Sequence, residues 1–224
     1  MCTVTYVPLK NGSCLTSNRD EKVAREKAIP PTEYFINNKK VIFPKDPKAG
    51  GTWFAYDEKN IIILLNGAKE KHITKNQYRK SRGLIVIDLI TSETILDVWK
   101  TINLDGIEPF TIVYFNGEEL YQLEWNELEK STISLNPKKN HIWSSSTLYE
   151  KETRDKREIW FHEYILKNQE NINPESLLNF HQFTESDNKE FGLQINRNNT
   201  LKTISITQCV LVQNKISSKY IDLM

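Results

Sequence analysis

Apolar and polar residues alternate with a period of two over much of the chain, in residues 2–7, 14–18, 61–65, 84–89, 110–115, 120–125, 131–135 and 204–212. These segments are rich in β-branched and aromatic residues, so each is predicted as a strand. Asn11-Gly12, Asn66-Gly67 and Asn116-Gly117 fall between them, and such dipeptides accept positive φ and favour tight hairpins. The sheet is therefore expected to be mainly antiparallel. A period near 3.6 replaces the alternation in three places: residues 92–102, 157–167 and 174–183, the last opening on Pro174 at a first-turn position. Residues 150–157 form the one long polar stretch and lead into the second helix. Strands outnumber helices and the helices are grouped, which predicts an α+β fold with helices on sheet faces.

Charge and composition narrow the picture. Thirty Lys and Arg against 29 Asp and Glu give a net charge of +1, so there is no basic excess to gather a polyanion, and no nucleic-acid partner is expected. The longest apolar runs fall well short of the ~20 residues a spanning helix needs, so no membrane span is expected. The N-terminus lacks the basic and apolar regions of a secretory signal. Cys2, Cys14 and Cys209 are few and odd in number, which suits free thiols and a cytoplasmic protein. No linker interrupts the pattern, and residues 1–224 are expected to form a single domain.

The first 21 residues carry the most chemistry. If Asn11-Gly12 is a two-residue turn, Cys2 faces Glu21, Thr3 faces Asp20 and Val4 faces Arg19. Cys2, Val4, Arg19 and Glu21 then share one face, with Arg19 diagonal to Cys2 at roughly 7–8 Å. A one-residue slip would bring Asp20 to the thiol instead. Removal of Met1 would leave a thiol and a free α-amine on one residue. Their ordinary pKa values, about 8.5 and about 7.7–8.0, let the amine take the thiol proton near neutral pH. A neighbouring arginine lowers the thiol further, and the thiolate is the nucleophile. The plainer alternative is that Cys2 is an apolar residue of an edge strand.

Met1-Cys2-Thr3, followed by Asn18-Arg19-Asp20-Glu21 after the first hairpin, resembles the start of the NRDE family, whose animal members are called transport and Golgi organisation protein 2. Asp46-Pro47-Lys48-Ala49-Gly50-Gly51-Thr52-Trp53, Leu64-Leu65-Asn66-Gly67, Ser81-Arg82-Gly83 and Trp143-Ser144-Ser145-Ser146-Thr147-Leu148 extend the match. The resemblance implies an offshoot of the N-terminal nucleophile (Ntn) hydrolases, an αββα sandwich of two mainly antiparallel sheets flanked by helices. Cysteine members such as penicillin V acylase and bile salt hydrolase cleave amides with a cysteine at position 2, an arginine and an aspartate. Cys2 matches the nucleophile and Arg19 the arginine. The aspartate follows the arginine by three residues in those enzymes, where this chain has Lys22; Asp20 follows directly. The family is also linked to haem trafficking and to acyl-coenzyme A or lipid handling.

Two functions follow as expectations. One is a hydrolase acting on a small amide or thioester, with Cys2 as nucleophile, Arg19 stabilising the thiolate or binding a substrate carboxylate, Asp20 orienting the amine and Asn66 donating to the oxyanion. Asn18 and Glu21 complete its ligand-binding set. The other is a non-catalytic carrier of haem or acyl-coenzyme A. No cofactor is required; haem would be a non-covalent ligand, because no Cys-x-x-Cys-His is present. Gly50, Gly51, Thr52 and Trp53 either supply backbone donors to a ligand or make a tight turn with Trp53 in the core. Asn66 either polarises a carbonyl or sits in a hairpin turn, and Arg82 either binds an anion or salt-bridges a strand edge. Neither His72, His141, His162 nor His181 has metal-ligand spacing to another candidate, so no metal site is expected. The runs at Asn37-Asn38-Lys39-Lys40 and Pro137-Lys138-Lys139 are expected to be solvated loops.

Overall fold

The computed structural model describes residues 3–224, and the chain divides into two compact units, Met1–Arg25 with Lys138–Met224, and Glu26–Pro137. The first strands are β1 (Thr3–Leu9), β2 (Gly12–Lys22), β3 (Ile29–Ile36), β4 (Lys39–Lys45), β5 (Phe54–Tyr56) and β6 (Ile61–Asn66). Helices α1 (Arg82–Ile90) and α2 (Ile95–Thr101) follow, then β7 (Phe110–Phe115), β8 (Leu120–Trp125), β9 (Lys130–Leu135) and β10 (His141–Ser144). The chain ends with α3 (Lys151–Lys167), α4 (Pro174–Phe183), β11 (Asn196–Arg197), β12 (Leu201–Val212) and β13 (Lys215–Asp222).

The first unit holds a six-stranded sheet ordered β10-β1-β2-β12-β11, with β13 also paired to β12; every pairing in it is antiparallel. Helices α3 and α4 pack on it. Thr153, Arg157 and Phe161 of α3 are buried, four residues apart and therefore on one face. Phe161 and Phe180 meet at 5.4 Å over a core of Val7, Cys14, Leu177 and Leu193. The start of α4 is fixed by Asn173, which accepts from the Ser176 amide at 2.9 Å, with Pro174 in the first turn.

The second unit is a seven-stranded antiparallel sheet in sequence order from β3 to β9, with α1 against β5 and β6. Ile61 to Leu65 are buried on both faces, which accounts for a continuous apolar run in place of alternation. The α+β class is as expected: two antiparallel sheets and four α-helices among the described residues.

Three expectations are corrected. Residues 84–89, predicted as a strand, belong to α1; the run is apolar on most sides because the helix buries Ile85, Val86, Leu89 and Ile90. Asn37-Asn38 is a hairpin turn with φ of 51° and 59°, and Lys39-Lys40 opens β4 instead of lying in a loop. Asn66-Gly67 is not a hairpin turn, since β6 continues into the segment leading to α1.

Candidate functional site

The N-terminal hairpin sets the geometry. Leu9 pairs with Gly12 and Thr3 with Asn18, so the turn is Lys10-Asn11 and the expected Asn11-Gly12 register is wrong by two positions. Gly12 is already a strand residue, outside the positive-φ set. It is glycine because a Cβ there would stand 1.8 Å from the Leu211 carbonyl oxygen on β12. A shift of two keeps each side chain on its face, so the alternation through Asn18-Arg19-Asp20-Glu21 survives. Arg19 and Glu21 lie on one side of β2, and Asn18 and Asp20 on the other.

The Asn18 and Asp20 side is a saturated polar network under α3 and α4. Asn18 Nδ2 donates to the carbonyls of Leu193 (2.7 Å) and His181 (3.1 Å). Its Oδ1 accepts from His181 Nδ1 at 2.7 Å, which leaves His181 Nε2 to accept from Thr5 Oγ1 at 2.8 Å. That pattern is a neutral imidazole. Burial, and secondarily the Arg157 charge, push its pKa down to about 3. Asp20 accepts from Tyr149 Oη at 2.6 Å and Thr203 Oγ1 at 2.5 Å. Arg157, fully buried, donates to Thr3 Oγ1 at 2.6 Å and to the Gly192 and Phe191 carbonyls, and stacks 3.6 Å over the Tyr149 ring. These contacts fasten the start of β1 and the end of β2 to the helix layer.

The Arg19 side differs. Arg19 is 2% exposed and pairs with Glu21 at 3.2 Å. A bulge between Thr203 and Ser205 sets Thr203 opposite Asp20 and Ser205 opposite Arg19. The extra residue changes the phase of β12, so Ser205 and Thr207 follow Arg19's face while Thr203 stays with Asp20. Buried Ser17 shares that face. Along β1, the last described pairs are Thr3 with Asn18 and Thr3 with Ser144. One position further on each neighbouring segment stand Arg19 and Ser145, both buried. Cys2 lies outside the described residues.

The remaining expected site residues belong to the second unit, where most meet at one corner. Gly51 and Gly83 mark a backbone crossing: a Cβ on Gly51 would fall 2.5 Å from Gly83 carbonyl carbon, and one on Gly83 2.8 Å from Thr52 nitrogen. The Thr52 amide is engaged, donating to Gly83 at 3.1 Å, and Gly50 donates to Asp46 at 2.8 Å. Trp53 is core. Arg82, beside Gly83, pairs with Glu108 at 2.8 Å and donates to the Pro109 carbonyl, which also takes the Gly67 amide. His72 reaches the same Glu108 at 3.2 Å. Asn66 pairs in register with Phe110, the next residue.

Burial pushes the Cys14 thiol up to about 12 and raises Cys209 as well, so both are inert at neutral pH. No group of three or more potential metal ligands occurs among the described residues, and none of their helices is long and apolar enough to cross a membrane. Arg157, Tyr149 and Thr203 carry no sequence signal of this role, and His181 enters the sequence reading only as a histidine lacking metal-ligand spacing. Arg157 was legible only as the end of a polar stretch, although its four-residue spacing from Thr153 and Phe161 marks the buried stripe.

With this geometry in hand, a family model described as Transport and Golgi organisation 2 matches residues 1–220. The chain belongs to that family. Among solved structures, penicillin V acylase from Agrobacterium tumefaciens superposes with a TM-score of 0.52 at 8% identity, covering 100% of this chain and 86% of the acylase. At that identity the likeness concerns the fold, which is therefore of the Ntn-hydrolase type. A search of curated protein sequences gives no match.

Proposed function

We propose that this family member is an Ntn-type hydrolase that uses Cys2, after loss of Met1, to attack a small amide or thioester carbonyl. The observation that carries the reading is Arg19: a buried guanidinium on the strand beside β1, one position past the Thr3–Asn18 pair, on the face turned away from the helix-bound network. A cation there favours the thiolate over the thiol. In this scheme the α-amine takes the thiol proton and Sγ bonds to the carbonyl carbon. The C–N or C–S bond then breaks with the proton passing to the leaving group, and water hydrolyses the acyl-cysteine. Asp20, with two hydroxyls already on its carboxylate, has a positional role: it holds the end of β2 that presents Arg19.

The test is turnover of a panel of small amides and acyl thioesters. Cys2→Ala and Cys2→Ser should abolish it with the fold intact, and Arg19→Met should depress it. Turnover that persists in Cys2→Ala ends the proposal.

A second reading, a carrier of haem or acyl-coenzyme A, draws support from the same commitment of Asp20, which engages that carboxylate with Tyr149 and Thr203 on the face away from Arg19. Saturable one-to-one binding of haemin or a long-chain acyl-coenzyme A by a protein without hydrolytic turnover is its expected signature. Absence of such binding removes it.

A further inference from the structure

The second sheet ends on β3 at one edge and on β9 at the other, and an open strand edge is a template for further pairing unless something blunts it. β3 is blunted twice: Pro30 and Pro31 lack amide hydrogens, and the register with β4 shifts between Ile29 and Thr32. β9 has neither device. Its pairs with β8 run without a shift from Leu120 with Leu135 to Trp125 with Lys130, and Ser131, Thr132, Ile133 and Ser134 are all exposed. Lys130, the charged residue of the strand, turns its ammonium onto the end of α2, donating to the carbonyls of Trp99, Lys100 and Ile102 at 2.9, 2.6 and 2.9 Å. The turn before β9 sets the phase of the ladder. The Asn126 amide donates to the Glu129 carbonyl at 3.4 Å, and bonded pairs recur at every second position. Ser131, Ile133 and Leu135 therefore bond to β8, while Lys130, Thr132 and Ser134 direct their backbone groups outward.

The charges at the two ends of this edge are complementary. Glu127 and Glu129 lie in the turn before β9, and the chain leaving it reads Asn136-Pro137-Lys138-Lys139, with Glu129, Lys138 and Lys139 exposed. When a strand pairs antiparallel with its own copy about a two-fold axis, the start of one lies beside the end of the other. The acidic turn of each copy then approaches the basic run of the other, and no like charges meet across Ser131 to Leu135. We propose that β9 is the contact edge of a homodimer, in which two copies pair antiparallel about Ile133 and join their seven-stranded sheets into one. Centred there, Thr132 stands opposite Ser134, so the outward backbone groups of both are used, and two Ile133 side chains, each 46% exposed in the single chain, meet at the axis. A strand pair of this length is at the small end of specific interfaces, so the dimer depends on concentration.

Sedimentation equilibrium of the full chain tests this, and a monomer–dimer equilibrium is the expected result. Ile133→Lys brings two ammonium groups together at the axis, and Ser134→Pro removes an outward amide hydrogen without touching the ladder to β8. Each should weaken the dimer at least about 10-fold with circular dichroism unchanged. Glu129→Lys and Lys139→Glu should each weaken it about 3- to 10-fold alone. An equimolar mixture of those two should recover it, because every end then meets the opposite charge. A chain that stays monomeric at every concentration, an assembly larger than two, or a dimer indifferent to both Ile133→Lys and Ser134→Pro overturns the proposal. Where either of these variants unfolds, the charge pair decides: a mixture that associates no better than its parts overturns the edge contact.

Discussion

Replacing Asp20 by alanine tests whether this carboxylate is a structural post. Tyr149 Oη and Thr203 Oγ1 both donate to it, at 2.6 and 2.5 Å, and all three residues are buried. A hydrogen bond to a charged group contributes about 1.5–3 kcal/mol, and a buried hydroxyl left without an acceptor costs about 1–3 kcal/mol. Thr203 keeps a long fallback to the Leu193 carbonyl at 3.5 Å. The net loss should be about 3–5 kcal/mol. In a chain of this size each kcal/mol moves the melting midpoint about 2–4 °C, so thermal unfolding followed by circular dichroism should shift down by about 6–20 °C. Tyr149→Phe should cost about half as much, and Asp20→Ala should cost less in that background because the pair shares one interaction. Asp20→Asn keeps an acceptor and should recover most of the loss. A midpoint that moves by under about 2 °C in Asp20→Ala, against the shift expected from the size scaling, would refute the reasoning; so would lost turnover without lost stability.

Other outcomes follow from the same geometry. His181 has its pKa depressed to about 3 against an unfolded value near 6.5, so its contribution is complete above pH 6.5 and is lost as pH falls towards 3. Stability should drop by about 1.4 kcal/mol per pH unit in the upper part of that window, before carboxylates titrate, and His181→Gln should flatten the slope. Gly83→Ala would ordinarily favour a helix, yet its Cβ meets the Thr52 backbone at 2.8 Å; a loss of about 1–3 kcal/mol in urea unfolding is expected, and a gain would disprove the crossing. Cys14 and Cys209 should resist iodoacetamide in the native protein and react on unfolding, as peptide mapping would report.

What sequence made legible was the strands rich in β-branched and aromatic residues and the one helix with a strong start signal. Residues 61–65, 110–115 and 120–125 lie in β6, β7 and β8, and residues 174–183 coincide with α4, because pattern and local chemistry agree there. Residues 84–89 misled because a short β-branched run buried on most sides has no period to read. The strands at Ile29–Ile36 and Lys215–Asp222 were missed because exposed edges carry polar residues, and because their turns use Asn37-Asn38 and Gln213-Asn214 in place of an Asn-Gly pair. At the site, Asn-Gly gave the wrong turn since Gly12 answers to the close approach of Leu211, a contact 199 positions away in the chain. The partition of Asn18 and Asp20 from Arg19 and Glu21 needed only the period of two. That Asp20 is bound by Tyr149 and Thr203 required the fold.

The most direct measurement is an intact mass of the native-terminus protein before and after brief exposure to small acyl thioesters, with the adduct mapped by peptide fragmentation. The account requires loss of Met1 and a single acyl group on Cys2 that Cys2→Ala abolishes. Retained Met1, or a processed terminus that acquires no adduct while turnover proceeds, would contradict it.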